Sequence, residues 1–349
     1  MDIGGASLRL RFRLEARVGT PGSGAGESEP VPRWRALLTR GRQTMDGGPP
    51  QQLQQPQTMS DKEASVLVGT TNHRASVPPA RDPEHHPALN ALRKDLGRPR
   101  VIAFVNPKGG VHKTTATVLA SAALGSVRGS GVIAWDDNEL RGTLGLRAGT
   151  ARHARTIRHL VADIAEVEAA AGTNLAEKAD DYLRHSSDGS FDVLAGDEDP
   201  KLARRLDSET VLRVLDILTR THDIVCIDTG NNVESENWRT IVSNADQLVV
   251  TSVPREDAAF TADWMLDLLE AEGYGSLVSN AITLLSCPTP RPGPLLDDLM
   301  THFKTRTRDV AVVPYDPALE PGAAIKYSQL RDATRYAWLS AAETIISAF

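Results

Sequence analysis

An apolar run at residues 101–105 passes directly into Asn106-Pro107-Lys108-Gly109-Gly110-Val111-His112-Lys113-Thr114-Thr115, and an Ala-rich helical pattern follows through Leu119 to Leu124. Strand, glycine turn and helix in that order leave the chain few options. Such a turn aims backbone N–H groups and the positive end of a helix at one point, where an anionic phosphate belongs. Gly109 and Gly110 let the backbone come close and take positive φ. Lys113 adds a point charge for the terminal phosphates, and the Thr114 hydroxyl suits Mg²⁺. Val111, His112 and Thr115 complete the cradle.

The rest of the second region fits the same plan. Short apolar, β-branched runs recur at 132–135, 191–194, 224–227, 247–251, 282–285 and 310–313. Runs of that kind are strands buried on both faces of a parallel sheet. Helical patterns lie between them: Val211, Leu215 and Leu218 share one face, as do Met265, Leu268 and Leu269 ahead of Gly273. The expectation is an α/β fold, a doubly wound, mostly parallel sheet with helices on both faces, over residues 98–349. A hydrophobic fraction of 40 % in 349 residues is enough for a sizeable core.

Residues 1–97 read differently. Pro-, Gly- and Gln-rich tracts such as Gly47-Gly48-Pro49-Pro50 cannot bury enough apolar surface to offset their ordering entropy. This segment is expected to be a disordered, low-complexity region. Residues 8–14 alternate apolar and basic side chains, either as a contact for an anionic surface or as a solvated tail. Met45 and Met59 are alternative starts.

The spacing K-G-G-x-x-K-[ST]-[ST] at residues 108–115 resembles the deviant phosphate loop of the ParA/MinD family of P-loop ATPases. Several expectations follow from the resemblance alone. Lys108 would be the signature lysine, reaching across a two-fold interface to ATP held by a second subunit. Asp136 would be the first acid of the second-strand motif D-x-D, and Asn138 falls where the second acid positions the attacking water. Asp137 is the alternative, through a one-residue shift. Asp228-Thr229-Gly230, after an apolar run, looks like a Walker B acid followed by a switch loop, with Asp228 holding Mg²⁺. Pro314, in Val312-Val313-Pro314-Tyr315-Asp316, would lie beside the purine. The resemblance implies ATP and Mg²⁺ as cofactors and a homodimer on ATP binding. With His112 and Asn138 both departing from the pattern, hydrolysis would be slow.

Within that family a ParA-like partitioning ATPase is the first functional expectation, with a ParB-like stimulating partner and non-specific DNA. A net charge of −6 rules out a bulk polycation, so DNA would need a local basic patch. One group is Arg147, Arg152, His153, Arg155, Arg158 and His159, and a second is Lys304, Arg306, Arg308, Lys326, Arg331 and Arg335. The alternatives are a non-hydrolysing, nucleotide-gated interaction module and an accessory ATPase of a specialised secretion system. The last stretch, after Arg335, has no Lys or Arg; Trp338, Ile345 and Ile346 are expected to face the core, which disfavours a membrane-inserting helix. Cys226 and Cys287 imply no disulfide framework, consistent with a cytoplasmic location. Neither a bilayer-length apolar stretch nor a signal-peptide h-region is read from the sequence.

Overall fold

The computed structural model describes residues 82–138, 142–149, 155–197 and 206–349, all within one compact unit. Eight strands form one sheet: β1 Arg100–Val105, β2 Val132–Asp137, β3 Arg184–His185, β4 Asp192–Leu194, β5 Ile224–Thr229, β6 Gln247–Ser252, β7 Ile282–Ser286 and β8 Asp309–Val313. Their spatial order is β3-β4-β2-β5-β1-β6-β7-β8. All pairings are parallel except β3 against β4. The seven strands expected from their apolar runs are all present. The two-residue β3 has no apolar run to announce it.

The sheet is buried on both sides because the central runs of its strands carry apolar residues on both faces. Ile102, Phe104, Ala134 and Cys226 face one layer; Val101, Ala103, Trp135 and Ile227 face the other. The first layer holds α1 Lys113–Arg128, α2 Leu144–Ala148 and, later in the chain, the terminal helix α6 Asp332–Ile346. The opposite layer holds α3 Ser208–Thr221, α4 Glu236–Asn244 and α5 Glu256–Ala271. On α3, Val211, Leu215 and Leu218 are buried as their spacing requires. Trp338, Ile345 and Ile346 of α6 are likewise buried. Gly125 of α1 sits so close to the chain before β4 that an added Cβ would lie 2.1 Å from the Ser190 carbonyl oxygen. That missing side chain lets the phosphate-loop helix pack flat on the sheet.

One boundary differs from expectation. Residues 82–97 belong to the folded unit rather than to the preceding tail. A 3-10 turn, Pro83–His85, and a short helix, Leu89–Leu92, bury Ala88, Leu92 and Leu96 against the α1/α6 layer. His86 Nε2 lies 2.9 Å from Ser340 Oγ, and Arg128 NH1 donates to the carbonyls of Leu92 and Lys94, both at 2.9 Å. Three apolar anchors spaced four apart suffice, although the stretch around them is polar. The low-complexity reading of residues 1–81 lies outside the described residues, as do Arg152 and His153.

Candidate functional site

The carboxyl ends of β1, β2 and β5 meet at the amino end of α1. Asn106, fully buried at the end of β1, sets the loop. Its amide donates to Thr251 O at 2.7 Å, and its Oδ1 accepts the Lys108 N–H at 2.9 Å. From there the chain turns through Gly110 at φ 76° and His112 at φ 64°, ψ 26°. His112 is the one non-glycine residue with positive φ among those described. The strain is therefore accepted rather than avoided, at a cost of roughly 1 kcal/mol. Its Nδ1 lies 2.9 Å from Ser286 Oγ at the end of β7, which holds the ring in place.

Lys113 points back into the loop. Its ammonium donates to Asn106 O at 2.8 Å and to Asn231 Oδ1 in the segment after β5. Burial pulls its pKa below the ordinary lysine value, and Asp228 partly opposes that. Thr114 Oγ1 donates to Asp228 Oδ2 at 2.5 Å. The other oxygen, Asp228 Oδ1, is buried without a hydrogen-bond partner. An orphaned carboxylate oxygen beside a hydroxyl is a donor set that fits Mg²⁺, which takes one or two protein oxygens and completes its shell with phosphate and water. Among the described residues no group of three or more His, Cys, Asp and Glu side chains forms a metal cage, so the ion would depend on the nucleotide's oxygens.

Asp136 lies in register beside Asp228 on the neighbouring strand. Its carboxylate accepts the N–H of Asn138 at 3.2 Å and of Leu144 at 2.9 Å. Burial, and secondly Asp228, push Asp136 up to about 7; burial pushes Asp228 up to about 6. Acids with a folded pKa above the unfolded value of about 4 hold their protons more tightly in the folded state. Their contribution favours folding at low pH and is lost as pH rises through 6 to 7. Between pH 5 and pH 8 the nucleotide-free protein is expected to lose more stability than an Asp228→Asn variant, in which only the burial of Asp136 still opposes ionisation. The unfolding temperatures of the two, compared across that window, check this; a constant difference would mean that the pair ionises normally.

The one-residue shift that would substitute Asp137 for the second acid is overturned. Strand side chains alternate between faces. Asp136 therefore faces the phosphate loop, while Asp137 faces the opposite layer and accepts the Asn237 amide of α4 at 2.8 Å. Asn138, just past the strand, does line the phosphate cavity, together with Gly109, Gly110, Val111, His112, Lys113, Thr114, Thr115 and Asp228; its volume is about 290 Å³. Lys108 does not. Its ammonium turns outward to Asp257 Oδ2 of α5, at 3.1 Å.

A second cavity of about 450 Å³ shares His112 and Thr115 with the first. Pro314 lines it, with Ser286, Cys287, Pro288, Tyr315 and Arg147. A polyphosphate cradle opening onto a larger, partly apolar chamber has room for a nucleotide lying base-outward. Asn106 and Arg147 are residues that sequence reasoning did not single out for this site, whereas Asn231 lies in the expected switch loop and Ser286 in the segment expected near the base. A polar residue closing an apolar run was the available signal for Asn106.

The basic groups proposed for DNA are mostly committed elsewhere. Arg158 pairs with Asp197 at 3.0 Å, and Arg155 donates to Asp181 O while lying over the Tyr182 ring. Arg306 binds Asp263 and Asp267, both at 2.7 Å. Arg308 caps the end of α6 through Thr344 O and Ser347 Oγ. Arg331 donates to Tyr315 O, and Arg335 pairs with Asp332. Lys304 and Lys326 stay exposed. Among the described residues no helix is long and apolar enough to cross a membrane.

Comparison with known proteins agrees with this geometry. Residues 99–268 match the family model described as an AAA domain. The fold is that of the cell-division ATPase MinD of Pyrococcus furiosus: TM-score 0.53, 22 % identity, covering 72 % of this chain and 99 % of that one. A ParA family ATPase from Chlorobium tepidum gives TM-score 0.53 at 18 % identity, covering 72 % and 97 %. MinD from Pyrococcus horikoshii, solved with Mg-ADP, gives 0.50 at 22 %, covering 69 % and 94 %. In sequence, the chain is 29 % identical over 238 residues to the ESX-1 secretion-associated protein EspI of Mycobacterium tuberculosis, covering 66 % of this chain. The chain spans about a third of the length of that relative, 34 % of it.

Proposed function

We propose, from the premise that this chain carries an AAA-type P-loop domain in the fold of the MinD and ParA-family ATPases, that it is a slow, Mg²⁺-dependent accessory ATPase of a specialised protein-secretion system. The similarity to the secretion-associated relative carries this reading. It extends over two-thirds of the chain at 29 % identity. The ParA-family and MinD structures, at 18 % and 22 %, speak to fold alone.

In this reading Lys113 and the loop amides hold the terminal phosphates of ATP. Thr114 and Asp228 hold Mg²⁺, whose chemistry is to neutralise phosphate charge. Asp136, in register beside Asp228 on the neighbouring strand, would place a second carboxyl next to that ion. Asn138 orients a water but accepts no proton from it, because an amide is not a base at neutral pH. Turnover is then slow, and the bound state is long-lived enough to serve as a signal. Lys108, parked on Asp257, becomes available to a second copy when ATP is bound. The protein acts in the cytoplasm, and its partner is a component of the secretion machinery.

A partitioning role with DNA and a ParB-like partner is the second reading, from the K-G-G-x-x-K-[ST]-[ST] spacing of residues 108–115. One comparison separates the two. Deleting the coding sequence in the native host should lower the amount of exported protein and leave plasmid and chromosome inheritance intact. Purified full-length protein with MgATP should release phosphate slowly, and duplex DNA should not change the rate. Inheritance defects together with ATP-dependent DNA retention would overturn the secretion reading.

A further inference from the structure

Arg147 belongs by sequence to a run of basic residues, but by position it belongs to the nucleotide cleft. It projects from α2 with its guanidinium in the wall of the larger cavity. One nitrogen, NH2, donates to Thr115 Oγ1 at 3.1 Å; the other, NH1, donates to Ala323 O at 3.1 Å. Both partners are neutral. No carboxylate lies within ion-pair distance of it among the described residues, in contrast to Arg158, Arg213 and Arg306, each of which has one. Burial lowers its pKa; burial, and secondly the Arg147 charge, disfavour protonation of His112. A half-buried guanidinium without an anion is costly, and the cost is recovered when an anion arrives.

The position says which anion. A nucleotide is linear: base, ribose, first phosphate, terminal phosphates. Thr114, Asp228 and the Lys113 ammonium mark the terminal-phosphate end. Pro314 and Cys287 mark the chamber at the other end. His112 and Thr115 line both cavities and so stand at the junction. Arg147 is bonded to Thr115 at that junction.

We propose that Arg147 holds the first phosphate, the one next to the ribose, of a nucleotide bound at this loop. The inference rests on the nucleotide-binding reading of residues 108–115. It assigns Arg147 a ligand class, nucleoside 5′-phosphates, and a division of labour. Lys113 distinguishes triphosphate from shorter nucleotides, while Arg147 grips all of them alike. A site built this way retains the diphosphate after turnover.

Titration calorimetry of the full-length protein with MgATP, MgADP and AMP tests it. Arg147→Gln is expected to weaken ATP and ADP by the same factor, about tenfold, which is the size of one charge-assisted hydrogen bond. AMP binding should fall with them. Arg147→Lys keeps the charge but not the fork and should show a smaller, equally shared loss. Unfolding temperature reports whether each variant is folded, and Arg147→Lys carries the test if Arg147→Gln is not. An unchanged ADP affinity, or a loss confined to ATP, would overturn the assignment. If the wild-type chain bound none of the three nucleotides, the reading of the loop itself would fail instead.

Discussion

Replacing Lys113 with alanine is expected to reduce MgATP affinity by about 100-fold or more while the fold survives. The factor corresponds to removing a charge-assisted contact in a largely buried site. The lysine lies at the closed end of the cradle, its ammonium fixed by Asn106 O and Asn231 Oδ1. Because these acceptors are neutral, the charge is available to a ligand. Its removal takes one donor from three neutral oxygens, Asn106 O, Lys108 O and Asn231 Oδ1, at the edge of an open cavity, so the fold should lose little. Equilibrium binding beside an unfolding curve checks both halves. A variant that binds ATP normally would mean that the loop amides and Mg²⁺ suffice without the lysine.

Lys108→Ala should behave in the opposite way. Affinity for nucleotide in the isolated subunit is expected to stay within a few-fold, since Lys108 does not line its own phosphate cavity. ATP-dependent self-association, with whatever turnover depends on it, should disappear. The outward pair with Asp257 is half exposed, at 41 % and 42 %. Such pairs are worth about 0–1 kcal/mol, so the lysine leaves Asp257 readily for a phosphate on another copy. Asp257 keeps Arg255 at 2.8 Å when that happens. Light scattering or sedimentation with and without MgATP measures the outcome. Equal self-association of variant and wild type would show that this lysine does not bridge two subunits.

The contrast between the two lysines shows how much the sequence could say. The loop, its helix and seven strands were legible because each rests on a local pattern. Continuous β-branched runs mark doubly buried strands, and the Gly-Gly turn marks the phosphate site. The acids at the ends of β2 and β5 are legible as acids, and their direction follows from strand geometry. Period-two alternation alone forbids Asp136 and Asp137 from facing the same ligand, which excludes the one-residue shift. Arg147 was not legible. Its spacing from Arg155 and Arg158 looks like a solvated basic surface. Only the tertiary approach of α2 to Thr115 shows that it faces inward while Arg158 meets Asp197. Residues 82–97 were hidden for a related reason: their few apolar side chains gain a partner only after α1 and α6 are in place.

That last segment determines where the rest of the N-terminal region joins the domain. The helix α1 begins at the phosphate loop and runs 16 residues. At 1.5 Å per residue its far end is about 24 Å away. Arg128, in the last turn, is the residue that clasps Leu92 and Lys94. The strap is therefore fastened at the end of the helix remote from the nucleotide. In the secretion reading proposed above, the face that holds the nucleotide therefore stays clear of this fastening and open to a second copy.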